Sequence, residues 1–251
     1  MDSNEPGDLF TGGMRESPAA AEVAVRLESP EGEPLAVWLC TPDRLEALAL
    51  GWLFNEGIVS GRDDVSNLKA ESASRVRVRL SDFASNRLEM HRTAIGPGPA
   101  PGHIFAGVPI NPYRPGPTLE SLLSDPPRLA RLFRDLFDGA AVSKTGGGGL
   151  HTGALVLDGC IVDVVEDVSR SAVVDKLVGS ALLGGGVPKQ SLLLLSGRIS
   201  GSIACKLSAA GIAAAATISI PTTLAVDIAA RAGVALVGRS RRDVPYRYGT
   251  S

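Results

Sequence analysis

Apolar and polar positions follow two different periods along the chain. In the first half, apolar side chains alternate or cluster in the predicted strands, which are residues 23–27, 34–40 and 75–80. Between the last two of these, residues 45–53 repeat apolar side chains at helical spacing. Thr41 is predicted to cap that helix and Pro42 to take its first position. The first half is therefore predicted to be a mixed α/β region.

The second half alternates short apolar runs with amphipathic stretches of about a dozen residues. The predicted strands are residues 154–157, 160–165, 191–195, 212–218 and 234–237. The predicted helices are residues 119–137, with a break at Pro126, and residues 168–183, 199–210 and 221–232. Strand 191–195 is apolar, which predicts a central strand covered on both faces. The alternation indicates a layered α/β sheet, partly parallel, and an α/β (mixed α+β) fold overall.

Two stretches that form no regular element divide the chain. Residues 1–19 are polar, acidic and rich in glycine and proline, so we expect a disordered tail without a secretory signal. Residues 94–117 are again rich in glycine and proline and predict a long loop that joins two lobes. The predicted divisions are a tail at 1–19, a smaller N-terminal α/β lobe at 20–117 and a C-terminal α/β domain at 118–251.

Composition excludes several classes of function. A formal net charge of -2 and 4% aromatic residues argue against binding nucleic acid. The three cysteines, Cys40, Cys160 and Cys205, form no CxxC pair, so a structural zinc site is not expected and a reducing compartment is. The longest apolar stretch, residues 203–216, is too short and too interrupted to span a membrane. We therefore predict a cytoplasmic protein without a directly bound metal.

The residues that follow the predicted strands share the chemistry of anion binding. Loops and helix N-termini converge at the carboxyl ends of strands in α/β sheets, where glycine amides, hydroxyls and arginines can hold phosphate. Each loop alone is also what an ordinary turn or helix cap looks like, so the prediction of a nucleotide-like site rests on their combination. The loops are Ser196-Gly197-Arg198, Pro221-Thr222-Thr223, Gly238-Arg239-Ser240-Arg241 and, before the first hairpin, Thr145-Gly146-Gly147.

Other polar residues allow two interpretations. Glu166 and Arg170 are either an ordinary helix-start ion pair or ligand contacts. Asp175 and Lys176, on the residues alone, are predicted as solvated surface. His151 is the only histidine near the proposed site, and a lone histidine is more often structural than catalytic. No Walker loop and no zinc-deaminase signature is present, and no nucleophile stands beside a base.

Taken together, these blocks resemble the formate dehydrogenase accessory (FdhD) family in their order and approximate spacing. The N-terminal block is ALGWLFNEGIV at 49–59. The C-terminal blocks are TGG…H at 145–151, ED with Arg170 at 166–170, DKL at 175–177, SGRIS at 196–200, PTTLAV at 221–226 and LVG at 236–238. The resemblance covers roughly residues 20 to 248.

The resemblance implies cytoplasmic, usually dimeric proteins with a deaminase-like α/β C-terminal part. Such proteins receive sulfur from a cysteine desulfurase as a persulfide on a CxxC loop, and pass it to the molybdenum bis-guanine dinucleotide cofactor of formate dehydrogenase. The residues implied to bind that cofactor, or a GDP-like nucleotide, are Thr145, Gly146, Gly147, His151, Glu166, Asp167, Arg170, Lys176, Ser196, Gly197, Arg198, Pro221, Thr222, Thr223, Gly238, Arg239, Ser240 and Arg241.

The chain departs from the family at the sulfur-carrying loop. Ile95 and Gly98 stand where the two cysteines are expected, so no persulfide can form there. We therefore expect a cofactor-binding maturation protein, or chaperone, for a molybdoenzyme, as a homodimer or paired with a cysteine-bearing paralogue. The alternatives are a sulfurtransferase that uses another cysteine, of which Cys205 is the best candidate, and a repurposed subunit of another complex. Whether the chain is an enzyme stays open.

Overall fold

A computed structural model describes residues 19–95, 114–140 and 149–249. The strands are β1 (Val23–Glu28), β2 (Pro34–Cys40), β3 (Val65–Ser72), β4 (Arg75–Leu80), β5 (His151–Leu157), β6 (Cys160–Asp167), β7 (Leu192–Leu195), β8 (Ala214–Thr217), β9 (Ala235–Gly238) and β10 (Tyr246–Tyr248). The helices are α1 (Leu45–Asn55), α2 (Asp82–Ile95), α3 (Pro117–Leu123), α4 (Pro126–Gly139), α5 (Arg170–Leu183), α6 (Gly201–Ala209) and α7 (Thr223–Ala232).

The second half of the chain forms a six-stranded sheet in the order β10-β9-β8-β7-β5-β6. Strands β7, β8 and β9 are parallel, whereas β5, β6 and β10 join antiparallel. One face packs against α3 and α4, and the other against α5, α6 and α7. Strand β7 lies in the middle, and no residue in it is more than 3% exposed. The predicted central strand and the layered arrangement are therefore confirmed.

The first half forms a four-stranded sheet in the order β2-β1-β4-β3, followed by α2. Helix α1 packs on this sheet with one side and on α5 with the other, so one apolar core runs through both sheets. The crossing of α1 and α5 depends on two glycines. A Cβ atom on Gly51 would lie 1.8 Å from the carbonyl oxygen of Asp175, and one on Gly179 would lie 1.8 Å from that of Ala47. Their lack of side chains lets the two backbones touch.

Several details of the predicted elements were wrong or incomplete. Helix α1 starts at Leu45, directly after Arg44. Thr41 does not cap this helix, because its hydroxyl instead accepts a hydrogen bond from the amide of Val168 at 3.2 Å. Helix α2 and strands β3 and β10 were not predicted. The break before Pro126 is confirmed. The predicted tail and most of the joining loop fall outside the described residues, so the division into domains stays a prediction.

Candidate functional site

The parallel strands β7, β8 and β9 all end at one edge of the six-stranded sheet. The antiparallel hairpin brings the start of β5 and the end of β6 to the same edge, since Gly153 pairs with Leu195 and His151 pairs with Asp167. This edge, called the strand-end edge below, therefore gathers the predicted site residues that the structure describes, apart from Lys176 in the interior of α5. They are His151, Glu166, Asp167, Arg170, Ser196, Gly197, Arg198, Pro221, Thr222, Thr223, Gly238, Arg239, Ser240 and Arg241.

Hydrogen bonds tie the loops of this edge to one another. The hydroxyl of Thr217 donates to the carbonyl of Gly197 at 2.7 Å, and the amide and hydroxyl of Ser240 both donate to the carbonyl of Thr217 at 3.0 Å. The amide of Arg239 donates to the carbonyl of Ser219 at 2.7 Å. Ser240, predicted as a ligand contact, is fully buried and holds these loops together. The sequence did not predict this role of Thr217, because it shows only a polar residue at the end of a run of alanines.

Three helices begin at this edge, and each begins with a hydroxyl cap. Ser169 accepts from the amide of Ala172 at the start of α5. Ser200 and Thr222 do the same for α6 and α7. The remaining free amides and the helix dipoles make these ends favourable positions for negative charge.

Gly197 forms the floor of a small cleft between two of these ends. A Cβ atom there would lie 2.7 Å from Cδ of Arg170 and 3.1 Å from Nδ1 of His151, so both side chains pack directly over the glycine backbone. Arg198 also lines this cleft, whose close packing leaves no space for a water molecule, so a ligand would bind at its opening. Burial and the neighbouring Arg170 lower the pKa of His151, against the opposing pull of Asp167. The imidazole is therefore mostly neutral at pH 7.

The cations of the strand-end edge outnumber its available anions. No ion pair within the described ranges engages Arg170, Arg198, Arg239, Arg241 or Arg242. The guanidinium of Arg239 lies 5.3 Å from the ring centre of Tyr246, and that of Arg241 lies 5.9 Å from the ring centre of Phe137. Stacking on rings orients these groups without neutralising them.

The carboxylates at the edge are turned inward. Asp167 is fully buried and Glu166 is 7% exposed. The Oδ2 atom of Asp167 lies 2.6 Å from Nζ of Lys176, and its Oδ1 atom accepts from the amide of Ser169 at 2.7 Å. The edge therefore presents donors and positive charge to an approaching ligand.

The polarity of Lys176 and Asp175 predicts solvated surface, but both residues are buried. Lys176 is fully buried, and its ammonium donates to Asp167, Asp43 and the carbonyl of Thr41. Asp175 is 2% exposed and receives both Lys206 and an amide hydrogen of Asn55. The expectation was wrong because buried charges need partners, and these partners are supplied by elements remote in sequence.

The remaining predicted positions lie elsewhere. Thr145, Gly146, Gly147 and Gly98 fall outside the described residues, as does the side chain of Ile95 at the end of α2. Cys40 and Cys205 are buried and Cys160 is exposed. Burial raises the pKa of Cys40 to about 11 and also raises that of Cys205. Cys160 starts β6 at the hairpin turn, at the end of the sheet opposite the strand-end edge.

The described parts of the chain meet the requirements neither of a metal site nor of a membrane-spanning helix. No group of three or more histidine, cysteine, aspartate or glutamate residues there could hold a metal ion. No helix there is long and apolar enough to cross a bilayer.

Comparison with known proteins identifies the family. The model of the FdhD/NarQ family matches residues 20–250. The chain belongs to the FdhD/NarQ family. This confirms the resemblance drawn from the sequence blocks, and the match covers both sheets.

Individual relatives agree. The chain is similar to proteins named sulfur carrier protein FdhD from Streptomyces coelicolor, at 37% identity over 82% of this chain and 78% of the relative, and from Anaeromyxobacter dehalogenans, at 33% identity over 87% and 84%. Its fold is similar to the crystal structure of a protein described as a formate dehydrogenase accessory protein from Desulfotalea psychrophila, with a TM-score of 0.71 and 19% identity over 92% of this chain and 87% of that one. The mixed α/β fold is thereby confirmed.

Proposed function

We propose that this FdhD/NarQ protein binds the guanine dinucleotide form of the molybdenum cofactor as cargo and supports the maturation of a molybdoenzyme such as formate dehydrogenase. The observation that carries the proposal is the pair of arginines without ion pairs, Arg170 and Arg198, that line the cleft with Gly197 at the strand-end edge, with further arginines on a neighbouring loop of the same edge. Relatives named sulfur carrier proteins and a fold neighbour described as a formate dehydrogenase accessory protein support the same assignment.

The donor set fits the phosphates of such a cargo. Arg170 and Arg198 offer forked guanidinium groups, which form bidentate bonds to phosphate oxygens. Gly197 has no side chain, which lets Arg170 and His151 pack side by side against its backbone. His151 donates a hydrogen bond from its neutral ring and gains a charge when a phosphate raises its pKa. These residues bind and orient the cargo.

We further propose that the protein handles the cofactor without a persulfide of its own. Ile95 and Gly98 occupy the positions where the family's cysteines are expected. Raised thiol pKa values and burial make Cys40 and Cys205 poor nucleophiles, because the thiolate is the reactive form. Cys160 is accessible but lies at the opposite end of the sheet. Sulfur would then come from a partner, either a cysteine desulfurase or a cysteine-bearing paralogue in a heterodimer, in the cytoplasm.

Titration calorimetry with GDP, a fragment of the cargo, tests the assignment. Wild-type protein should bind GDP saturably, and Arg198→Ala should weaken binding by about 10- to 100-fold, the loss expected for one charge-assisted contact of roughly 1.5–3 kcal/mol. Arg131→Ala removes an exposed arginine from α4 and serves as the matched control. Absence of binding at millimolar GDP would contradict the proposal and favour a repurposed subunit.

A further inference from the structure

The loop between β2 and α1 follows a strand of the first sheet, yet it is hydrogen-bonded to the end of β6 at the strand-end edge. The amide of Thr41 donates to Oδ2 of Asp167 at 3.2 Å, and the hydroxyl of Thr41 accepts from the amide of Val168 at 3.2 Å. Lys176 joins the same carboxylate, at 2.6 Å, to the carbonyl of Thr41, at 2.9 Å, and to the side chain of Asp43. Residues more than 120 positions apart in sequence thus share one network.

This network holds the two backbone amides that directly precede Arg170, whose side chain lines the cleft. The amides of Val168 and Ser169 are both held by it, the first by Thr41 and the second by Oδ1 of Asp167 at 2.7 Å. Arg170 follows directly and packs over Gly197 beside His151. The position of that guanidinium therefore depends on bonds made by groups that do not themselves face the cleft.

Charge burial at Lys176 is costly unless every donor is satisfied. Its ammonium has three protons and three oxygen partners, which come from β6 and from both ends of the β2–α1 turn. Lys206 provides an internal comparison. It is buried to a similar degree and also pairs with a carboxylate of α5, Asp175, at 2.6 Å. Its further partner Glu56, at 3.8 Å, lies at the end of α1, as does Asn55, whose amide donates to Asp175.

We propose that Lys176 is a positioning residue for ligand binding: it locks the Thr41–Asp43 loop of the first sheet to Asp167, and so holds Arg170 and His151 in place at the strand-end edge. The inference rests on the proposed function, because it concerns the same site. It assigns the first sheet a part in that site although none of its side chains lines the cleft. Ligand binding and the arrangement of the two sheets are coupled through this lysine.

Three variants separate positioning from general stability. Lys176→Met and Lys206→Met each leave a buried carboxylate unpaired, so both should lower Tm, by roughly 6–20 °C. Only Lys176→Met should also weaken GDP binding at a temperature where the protein is folded, by about five- to tenfold. Thr41→Val keeps the buried charges and removes the hydroxyl acceptor for Val168, so it should weaken GDP binding with a much smaller change in Tm.

A ligand-free readout distinguishes failure of this inference from failure of the proposed function. Removal of Lys176 leaves the charge of Asp167 uncompensated beside His151, so the His151 titration followed by NMR should move to higher pH in Lys176→Met and stay unchanged in Lys206→Met. An unmoved titration, or equal GDP affinities for Thr41→Val, Lys176→Met and wild type, would overturn the inference. If wild-type protein binds no GDP, the proposed function fails while the titration still decides the positioning role.

Discussion

The crossing of α1 and α5 makes Gly51→Ala the sharpest test of how the two sheets are joined. The added Cβ would lie 1.8 Å from the carbonyl oxygen of Asp175, about 1.6 Å short of the 3.4 Å at which ordinary contact begins. The obstacle is backbone inside a helix, and the backbone amide of Gly179 lies close by at 2.8 Å. No side-chain rotation can relieve the overlap, so the helices must move apart.

The expected change in the free energy of unfolding of Gly51→Ala is the difference between two opposing contributions. Overpacking a well-packed core costs about 1–3 kcal/mol, and a rigid obstacle places this site at the upper end, near 3 kcal/mol. Alanine recovers about 1 kcal/mol of helix propensity relative to glycine. We therefore expect a net loss of about 2 kcal/mol in the free energy of unfolding. For a chain of this size that corresponds to a fall in Tm of roughly 4–8 °C.

Thermal unfolding followed by circular dichroism, with urea titration for the free energy, measures the effect. Gly184→Ala at the end of the same α5 is the matched control, because its Cβ would meet the nearest carbonyl oxygens at 3.5 Å, an ordinary contact. The control should stay within about 0.5 kcal/mol of wild type. If Gly51→Ala were as stable as the control, the close crossing of α1 and α5 would be refuted.

The remaining predictions concern thiols, pH and salt. In native protein a thiol reagent should label only Cys160, because Cys40 and Cys205 are buried and have raised pKa values. Cys40 and Cys205 should react only after unfolding, and their labelling in native protein, detected by mass spectrometry, would contradict this. Because the pKa of His151 is lowered below its usual 6.5, the free imidazole gains its charge only below that pH. GDP affinity should therefore rise as pH falls below 6.5, and His151→Gln should lose this added rise in calorimetry. GDP binding should also weaken with added NaCl, and Arg241→Ala should flatten that salt dependence; an unaltered slope would exclude Arg241 from the site.

Strong apolar periodicity explains which elements could be predicted. Strand β7 consists of four leucines, and its burial on both faces follows from that composition. Helix α2 and strand β3 were missed because exposed polar residues interrupt their apolar positions. Thr41 has the sequence of a helix cap, but a tertiary hydrogen bond to Val168 competes successfully for its hydroxyl.

The convergence of the loops at one edge was easier to predict than the contacts that their residues make. Loops after parallel strands converge because of sheet topology, and that rule located the strand-end edge. The inward direction of Ser240 and Lys176 depends on partners that a single sequence does not reveal, such as Thr217 and Thr41. Charged residues are usually exposed, so a fully buried lysine runs against the default expectation.

A crystal structure of the protein with GDP would test the central claim most directly. The account predicts phosphate density at the opening of the cleft beside Gly197, within hydrogen-bonding distance of the guanidinium groups of Arg170 and Arg198. Density for GDP at another surface, or none at ligand concentrations that saturate the protein in solution, would contradict the assignment of the strand-end edge as the cargo site.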